Sequence, residues 1–139
     1  MTGPAKSPLS ASTKAALAAL TWLEYVRVVS GVRRMALPDL VRRLETAAHR
    51  LALSPLDPVR LGKLVAKVLN RGPVRPRCLT LSLVLFRMLV RQGTKPELVI
   101  GLPPSPSSHE AHAWIEVEGR VVGPPPGRLG HEEMVRYGG

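Results

Sequence analysis

A strongly apolar segment at residues 79–91 divides this chain into two halves with different patterns. It reads LTLSLVLFRMLVR, and Gly93 follows it in the usual C-cap place. Before it, apolar residues recur every three or four positions; after it, short apolar runs are separated by Pro, Gly and Ser. Helices followed by strands, with this apolar helix at the junction, predict an α+β fold.

The first half predicts three helices. The first runs from Ser12 or Thr13 until Gly31 ends it, the second starts after Leu37, and the third spans about 58–69. Each helix has apolar residues at spacings of three and four, which predicts one buried face. In the first helix this predicted face consists of Ala16, Leu20, Leu23, Tyr25 and Val26.

The second half predicts a small antiparallel sheet. Glu97–Leu102 and Glu110–Glu118 are expected to be strands, and Arg120–Gly123 a returning strand after the two-residue turn Glu118-Gly119. Pro124 to Gly127 should break this strand, and Glu132–Tyr137 is predicted to form a final short helix.

Length and composition indicate one soluble domain. The chain has 139 residues, of which 45% are hydrophobic. Residues 1–12 predict a flexible lead-in, and 13–139 a single domain. A membrane span needs about 20 apolar residues, and the apolar stretch near the start soon reaches Glu24 and Arg27 without a signal-peptide pattern. We therefore expect a cytoplasmic protein without a membrane span.

The net charge of +10 indicates an anionic partner, surface or peptide. Nucleic acid is disfavoured as this partner, because aromatic residues make up only 4% of the chain and no nucleic-acid-binding motif is present. Much of the charge is also what a solvated surface would carry.

The single cysteine is the strongest candidate for chemistry. A lone cysteine is commonly a small buried hydrophobe, but Cys78 is predicted in the first turn of the apolar helix. Unpaired amides and the helix dipole put partial positive charge there, and Arg75 and Arg77 add full charges. These effects favour the thiolate, which is the nucleophilic form.

Four histidines are candidates for the base that a nucleophilic cysteine needs. His49 and His131 are expected on the surface, and His109 in a Pro/Ser-rich loop. His112 lies in a predicted strand, within the segment AHAW, whose alanines leave room around the imidazole. A cysteine at a helix N-terminus with a histidine on a neighbouring strand is the arrangement of cysteine hydrolases. A zinc site is disfavoured, because Cys78 is distant from the only close histidine pair.

These segments resemble a known family. The strings RCL, LSLVLFRMLVRQG, PELVIG and AHAWIEVEGRVVG resemble the C-terminal peptidase domain of lasso-peptide maturation proteins. Those proteins are transglutaminase-like cysteine proteases that remove the leader from a precursor peptide. The likeness covers roughly Leu64 to Gly123, and its pieces occur in the family's order and spacing.

The resemblance implies a transglutaminase-like (papain-like) core, with the nucleophile helix packed on a small antiparallel sheet. It implies Cys78 as nucleophile and His112 as base, and we also expect Arg77 and Trp114 to contact the substrate. No metal or other cofactor is expected. Because residues 13–69 are predicted to be helices only, the chain resembles the stand-alone peptidase of a split system. Its implied partners are the precursor peptide, a small leader-recognition protein and an ATP-dependent lasso cyclase, the macrolactam synthetase.

The third member of the triad that the resemblance implies has no clear residue. If the hairpin pairs Ile115 with Val122, the position opposite His112 falls at Pro124–Pro125, where the family would carry an aspartate. Glu110, Glu132 or a backbone carbonyl could orient the imidazole instead. Two alternatives therefore stay open: a catalytically degenerate protein that only binds a peptide or partner, and a transglutaminase that transfers the acyl group to an amine.

Overall fold

The computed structural model describes residues 9–46, 56–73, 76–102, 111–124 and 131–138. Within these ranges the chain forms four helices and one four-stranded sheet, so the predicted α+β class is confirmed. The helices are α1 (Ala11–Arg34), α2 (Leu37–Glu45), α3 (Pro58–Asn70) and α4 (Cys78–Arg91), and the strands are β1 (Glu97–Leu102), β2 (His112–Val117), β3 (Arg120–Gly123) and β4 (Glu132–Gly138).

Helix α1 is longer at both ends than the sequence pattern predicts. It begins at Ala11, after Ser10, whose hydroxyl caps the helix by accepting from the Thr13 amide at 3.2 Å. The predicted lead-in is therefore two residues too long; residues 1–8 lie outside the described ranges. At the other end the helix continues to Arg34, so the prediction that Gly31 ends it was wrong.

Gly31 instead allows α1 and α2 to approach each other closely. A Cβ at this position would lie 2.6 Å from Leu40 Cδ1, which is inside van der Waals contact. Gly31 itself is buried in the helix interior. Gly31 therefore serves the packing of the two helices and does not end α1, since its missing side chain makes room for a residue of α2.

The buried face of α1 also differs from the predicted face. It consists of Leu17, Thr21, Glu24, Val28 and Gly31, whereas Leu23 and Val26 are 44% and 59% exposed. The helix is turned so that the Glu24 carboxylate meets two arginines of α4, Arg87 at 2.9 Å and Arg91 at 3.5 Å. Hydrophobicity alone could not predict a face that has an ion pair at its centre.

Helix α4 forms the centre of the molecule. Eight of its fourteen residues are buried, and it packs against the other three helices and against the sheet. Helix α3 is capped by Asp57, which accepts from the Arg60 amide at 3.2 Å, and it packs against both α4 and β3. The helical layer therefore positions α4 directly on the strands.

The sheet has the order β3-β2-β1-β4, and the three recorded pairings are antiparallel. The hairpin turn at Glu118-Gly119 is confirmed, with φ values of 51° and 79° at these two residues. Val117 pairs with Arg120 as predicted, but a bulge then pairs Ile115 with Gly123 in place of Val122. The register beyond the bulge is thus shifted by one residue.

The prediction of a short helix at Glu132–Tyr137 was wrong. These residues form β4, which pairs with β1 and makes it a central strand. Val135 and Tyr137 lie in register with residues of β1 that pack on the helices, while Arg136 points to the other face. A bulge between the Ile100 and Gly101 pairings interrupts this alternation, which is why the sequence pattern was not recognised as a strand.

The two faces of the sheet have different chemistry. The face toward α4 is apolar and includes Leu98, Ala113 and Ile115. On the opposite face Trp114 is fully buried, and its Nε1–H donates to Glu116 Oε2 at 2.8 Å. Since His112, Trp114 and Glu116 alternate along β2, they lie on this same polar face.

By length and composition alone, α1 is a helix that could cross a membrane. In the folded chain, 28% of its most apolar stretch is buried against the rest of the protein. Its buried stripe carries the ion-paired Glu24, which ties the helix to α4. This environment is that of a helix packed into a folded domain.

Candidate active site

Cys78 is the first residue of α4, as the sequence predicts. Arg77 is the N-cap, with an extended backbone and no side-chain capping bond, and its side chain is exposed. The first recorded bond of the helical ladder runs from the Leu81 amide to the Arg77 carbonyl at 2.9 Å. The amides of the first turn, including that of Cys78, therefore precede the ladder and point their partial positive charge toward the thiol end of the helix.

The Cys78 thiol is free and half-buried at the edge of the apolar core. Its position allows a reagent to reach the sulfur while the helix backbone stays fixed by the packing of α4. Partial exposure near a helix N-terminus is the environment in which cysteines are reactive.

His112 is the first residue of β2 and pairs with Gly101 of β1. Its imidazole is half-buried, and Nδ1 is fully enclosed without a hydrogen-bond partner in the part of the chain that the structure describes. A buried ring nitrogen without a partner is uncommon and costs free energy.

Helix α4 and strand β2 are in direct contact. The helix packs on the apolar face of β2, whereas alternation along the strand places the His112 side chain on the opposite face, so this contact joins the two elements that carry the candidate residues and not the two side chains. Among the described residues no hydrogen bond joins the Cys78 sulfur to the imidazole. In unliganded enzymes such bonds are often long and tighten only when substrate is bound.

A second histidine lies against His112. The ring centroids of His112 and His131 are 4.5 Å apart, with an interplanar angle of 87°. The sequence interpretation placed His131 on the surface, and the structure shows it half-buried at the start of β4. The sequence pattern missed this contact because His131 lies near the C-terminus in a Gly-rich region, which favours a surface position.

Gly101 makes room for the Trp114 indole beside the histidine pair. It lies on β1 between His112 of β2 and Glu133 of β4. A Cβ on Gly101 would lie 2.8 Å from Trp114 Cη2, so the indole occupies the space that a side chain would need. The Trp114 and His131 ring centroids are 6.2 Å apart, so the indole extends toward the histidine pair.

A network of charged groups fixes the indole in this place. Glu116, which is 1% exposed, accepts from Trp114 Nε1 and from Arg136 Nη1, the latter at 3.1 Å. Arg136 also pairs with Glu133 at 2.6 Å and with Glu97 at 3.3 Å. The hydrogen bond to Glu133, with further support from Glu116 and Glu97, raises the pKa of Arg136 above its already high usual value. The guanidinium is thus a permanent charge beneath the site.

Trp114 has no exposed surface and lies beside the histidine pair, so its expected contact with the substrate stays a prediction. Arg77, by contrast, is exposed beside Cys78, where a substrate could reach it.

The residue that would orient His112 has not been identified. Glu110, Pro125 and Pro126 lie outside the described residues, as do His49 and His109. The bulge in the β2–β3 pairing shifts the register at Ile115, which pairs with Gly123 and not with Val122 as predicted. Glu116, whose carboxylate binds Trp114 and Arg136, is already engaged.

Comparison with known proteins agrees with this architecture. The family model of the transglutaminase-like superfamily matches residues 15–135, which is most of the chain. No curated protein and no solved structure gives a significant match. The match includes α4, β2 and both residues of the predicted pair, Cys78 and His112. The chain belongs to the transglutaminase-like superfamily.

Proposed function

We propose that this protein is a cytoplasmic cysteine peptidase that removes the leader from a lasso-peptide precursor. The observation that carries the proposal is the placement of the only cysteine at the first residue of α4, packed on the strand that begins with His112. The superfamily includes cysteine peptidases, and the segments around both residues resemble those of lasso-peptide leader peptidases. A separate leader-recognition protein and an ATP-dependent lasso cyclase would complete the pathway.

The proposed reaction follows from these two side chains. The Cys78 thiolate attacks the carbonyl carbon at the leader–core junction, and the C–N bond breaks as His112 protonates the leaving amine. Water, deprotonated by His112, then attacks the thioester, which releases the leader as a free acid and regenerates the thiol. The Cys78 amide, at the start of the helix, would donate to the oxyanion in both steps.

The decisive experiment compares wild-type protein with Cys78→Ala on a precursor peptide, in the presence of the leader-recognition partner. The wild type should release leader and core masses in a mass spectrum, and the variant should release neither. Thiol to methyl is a small change, so the fold should persist in circular dichroism. Thr80→Ala, in the same helical turn, is the matched control and should cleave normally. Full cleavage by Cys78→Ala would disprove the assignment.

The unpartnered Nδ1 of His112 favours a second candidate, a catalytically degenerate protein that binds a peptide or partner. Alkylation separates the two candidates without a substrate. If Cys78 and His112 form an ion pair, iodoacetamide should modify Cys78 at pH 6 much faster than it modifies a free thiol, and His112→Ala should remove this advantage. A rate equal to that of a free thiol in both proteins would favour the binding module. Adding an amine to the reaction and measuring the product mass distinguishes hydrolysis from acyl transfer, because only acyl transfer incorporates the amine.

A further inference from the structure

A cleft of about 400 Å³ lies on the helical side of the molecule, between α1 and α2. Its walls are the C-terminal half of α1, from Glu24 to Met35, and the α2 residues Leu40, Arg43 and Leu44, and Arg87 of α4 closes one side. Arg87 is nine residues after Cys78 on α4, which is about 13 Å along the helix axis. The cleft is therefore separate from the candidate active site.

The cleft is lined mainly by positive charge. Four arginines face it, Arg27, Arg34, Arg43 and Arg87, with Glu24 as the only carboxylate among the described lining residues. Arg27 and Arg87 are each 2.9 Å from that carboxylate, so both are engaged in ion pairs with it.

The other two arginines are different. Arg34 and Arg43 are exposed, and neither forms an ion pair with any residue in the described ranges. Their guanidinium groups project from two different helices at the rim of one cleft. Two uncompensated guanidinium groups in such an arrangement are suited to binding carboxylates.

Between these charges the lining is apolar. Val26 is 59% exposed, and Met35, Leu40 and Leu44 form the remaining apolar wall. A concave surface with an apolar wall and a few polar groups, with a volume in the usual range of about 300–1,000 Å³, has the general character of a ligand site.

The cleft is held open by contacts that do not depend on a ligand. The absent side chain of Gly31 lets Leu40 pack directly on α1. Arg87 connects the three helices, because Nε donates to Glu24 Oε2 at 2.9 Å and Nη1 donates to the Leu44 carbonyl at 3.0 Å. A ligand would therefore bind a preformed site, at a small cost in ordering.

We propose that this cleft binds an acidic, partly apolar segment of another polypeptide. Its carboxylates pair with Arg34 and Arg43, and an apolar side chain covers Val26 and Met35. A nucleic acid fits less well, since the described lining has no aromatic ring for stacking and the Glu24 carboxylate lies at its base. A membrane surface fits less well, since the charges face a concave cleft. The proposal does not depend on the peptidase activity.

The test uses the full chain carrying Cys78→Ala, so that no probe can be cleaved. Fluorescence anisotropy measures binding of a labelled twelve-residue peptide of alternating Glu and Leu. The double variant Arg34→Ala/Arg43→Ala should weaken binding about tenfold or more, as expected for the loss of two charge-assisted contacts. The matched control is Arg33→Ala/Arg42→Ala, which removes the same charge from neighbouring positions that do not line the cleft. It should bind within about twofold of the parent protein.

Two further arms test the apolar wall and the class of ligand. Val26→Glu should weaken binding as strongly as the double variant Arg34→Ala/Arg43→Ala does, and a peptide of alternating Gln and Leu should bind at least tenfold more weakly than the Glu peptide.

Equal losses of affinity in both double variants would show a general charge effect and overturn the proposal. Equal binding of the Gln peptide, or no binding of either peptide, would also overturn it. The proposal would also be overturned if binding of a twelve-nucleotide single strand, or of phosphatidylglycerol vesicles, depended more strongly on Arg34 and Arg43 than binding of the peptide does. Circular dichroism of each variant confirms that the fold is intact.

Discussion

Glu24 is a buried charged residue that determines how α1 packs. Its carboxylate has no exposed surface and meets Arg27, Arg87 and Arg91 at 2.9 to 3.5 Å. In the sequence it interrupts an apolar run, which suggests an exposed position. In the structure it determines which face of α1 turns inward, because two of its partners are anchored on the central helix.

Replacing Glu24 with Gln should destabilise the protein strongly. The change preserves shape but removes the negative charge that faces Arg87 and Arg91, which are 18% and 13% exposed. Breaking a buried ion pair by removing one partner costs about 3–5 kcal/mol. Urea unfolding should show this loss, discounted toward about 2–3 kcal/mol because the arginines retain some solvent.

The control for Glu24 is Asp39→Asn, which breaks the exposed pair with Arg42 at 2.9 Å. Exposed pairs contribute less than about 1 kcal/mol. If both variants lost the same small amount of stability, Glu24 would not be the structural link between α1 and α4.

His131 should position the base of the proposed peptidase. Its ring lies edge to face against His112, so His131→Ala should let the imidazole rotate and lower kcat about tenfold or more with little change in KM. His131→Phe preserves an aromatic edge and should recover most of the activity. Steady-state cleavage of a precursor peptide measures both constants. A Phe variant as slow as the Ala variant would show that the contact alone does not explain the effect.

The candidate pair Cys78 and His112 is predicted from local sequence signals, whereas the contact of His131 with His112 is not. A lone cysteine before an apolar helix and a histidine in an AHAW strand are local signals. His131 reaches the site through the pairing of β4 with β1, which depends on residues about thirty positions apart. No local pattern around His131 records that pairing.

At the scale of elements, the sequence predicted helices, strands and turns well where the residues of the element itself determine its structure. The limits of α4 and β1 and the Glu118-Gly119 turn were predicted closely, because capping, periodicity and turn residues are properties of short segments. The end of α1 and the nature of β4 were wrong. Both depend on a neighbour: Gly31 on Leu40 of α2, and β4 on the open edge of β1.

Helix α3 and strand β3 meet through a glycine, which gives a test of this packing. A Cβ on Gly62 would lie 2.2 Å from the Val122 carbonyl oxygen, which belongs to the backbone and cannot rotate away. In most helix interiors Gly→Ala stabilises by about 1 kcal/mol. Here Gly62→Ala should instead destabilise, by about 1–3 kcal/mol, because the helix must move off the sheet.

Thermal and urea unfolding of Gly62→Ala would show whether the substitution lowers the free energy of unfolding or raises it. Lys67→Ala, at an exposed position of the same helix, is the control and should change stability by less than about 0.5 kcal/mol. A stabilised Gly62→Ala variant would mean that α3 and β3 do not pack as closely as the structure shows.

For the molecule as a whole, the packing of α1 indicates whether this helix is part of the folded domain or a membrane anchor. The helix is apolar and long enough to span a bilayer, yet Glu24 and Arg27 lie near its middle, and Glu24 is paired with two arginines of α4. Inserting these charges into hydrocarbon would be costly, so the packed arrangement is favoured.

Flotation with uncharged phosphatidylcholine vesicles tests the location of α1. The purified protein should stay in the dense fraction, because the ion pairs hold α1 against α4. Uncharged lipid is needed, since a net charge of +10 would bind anionic vesicles without insertion. The same protein denatured in urea and diluted onto vesicles serves as the comparison. Flotation of the native protein that survives alkaline carbonate would contradict the packed arrangement.

The position of Trp114 also gives the protein an internal optical probe. The chain has two tryptophans, and the other one, Trp22, lies on α1 beside Tyr25. In a Trp22→Phe variant the remaining indole emission would come from a ring 6.2 Å from His131. Changes in that emission would report on the surroundings of the histidine pair, including binding of a peptide beside it, without any added label.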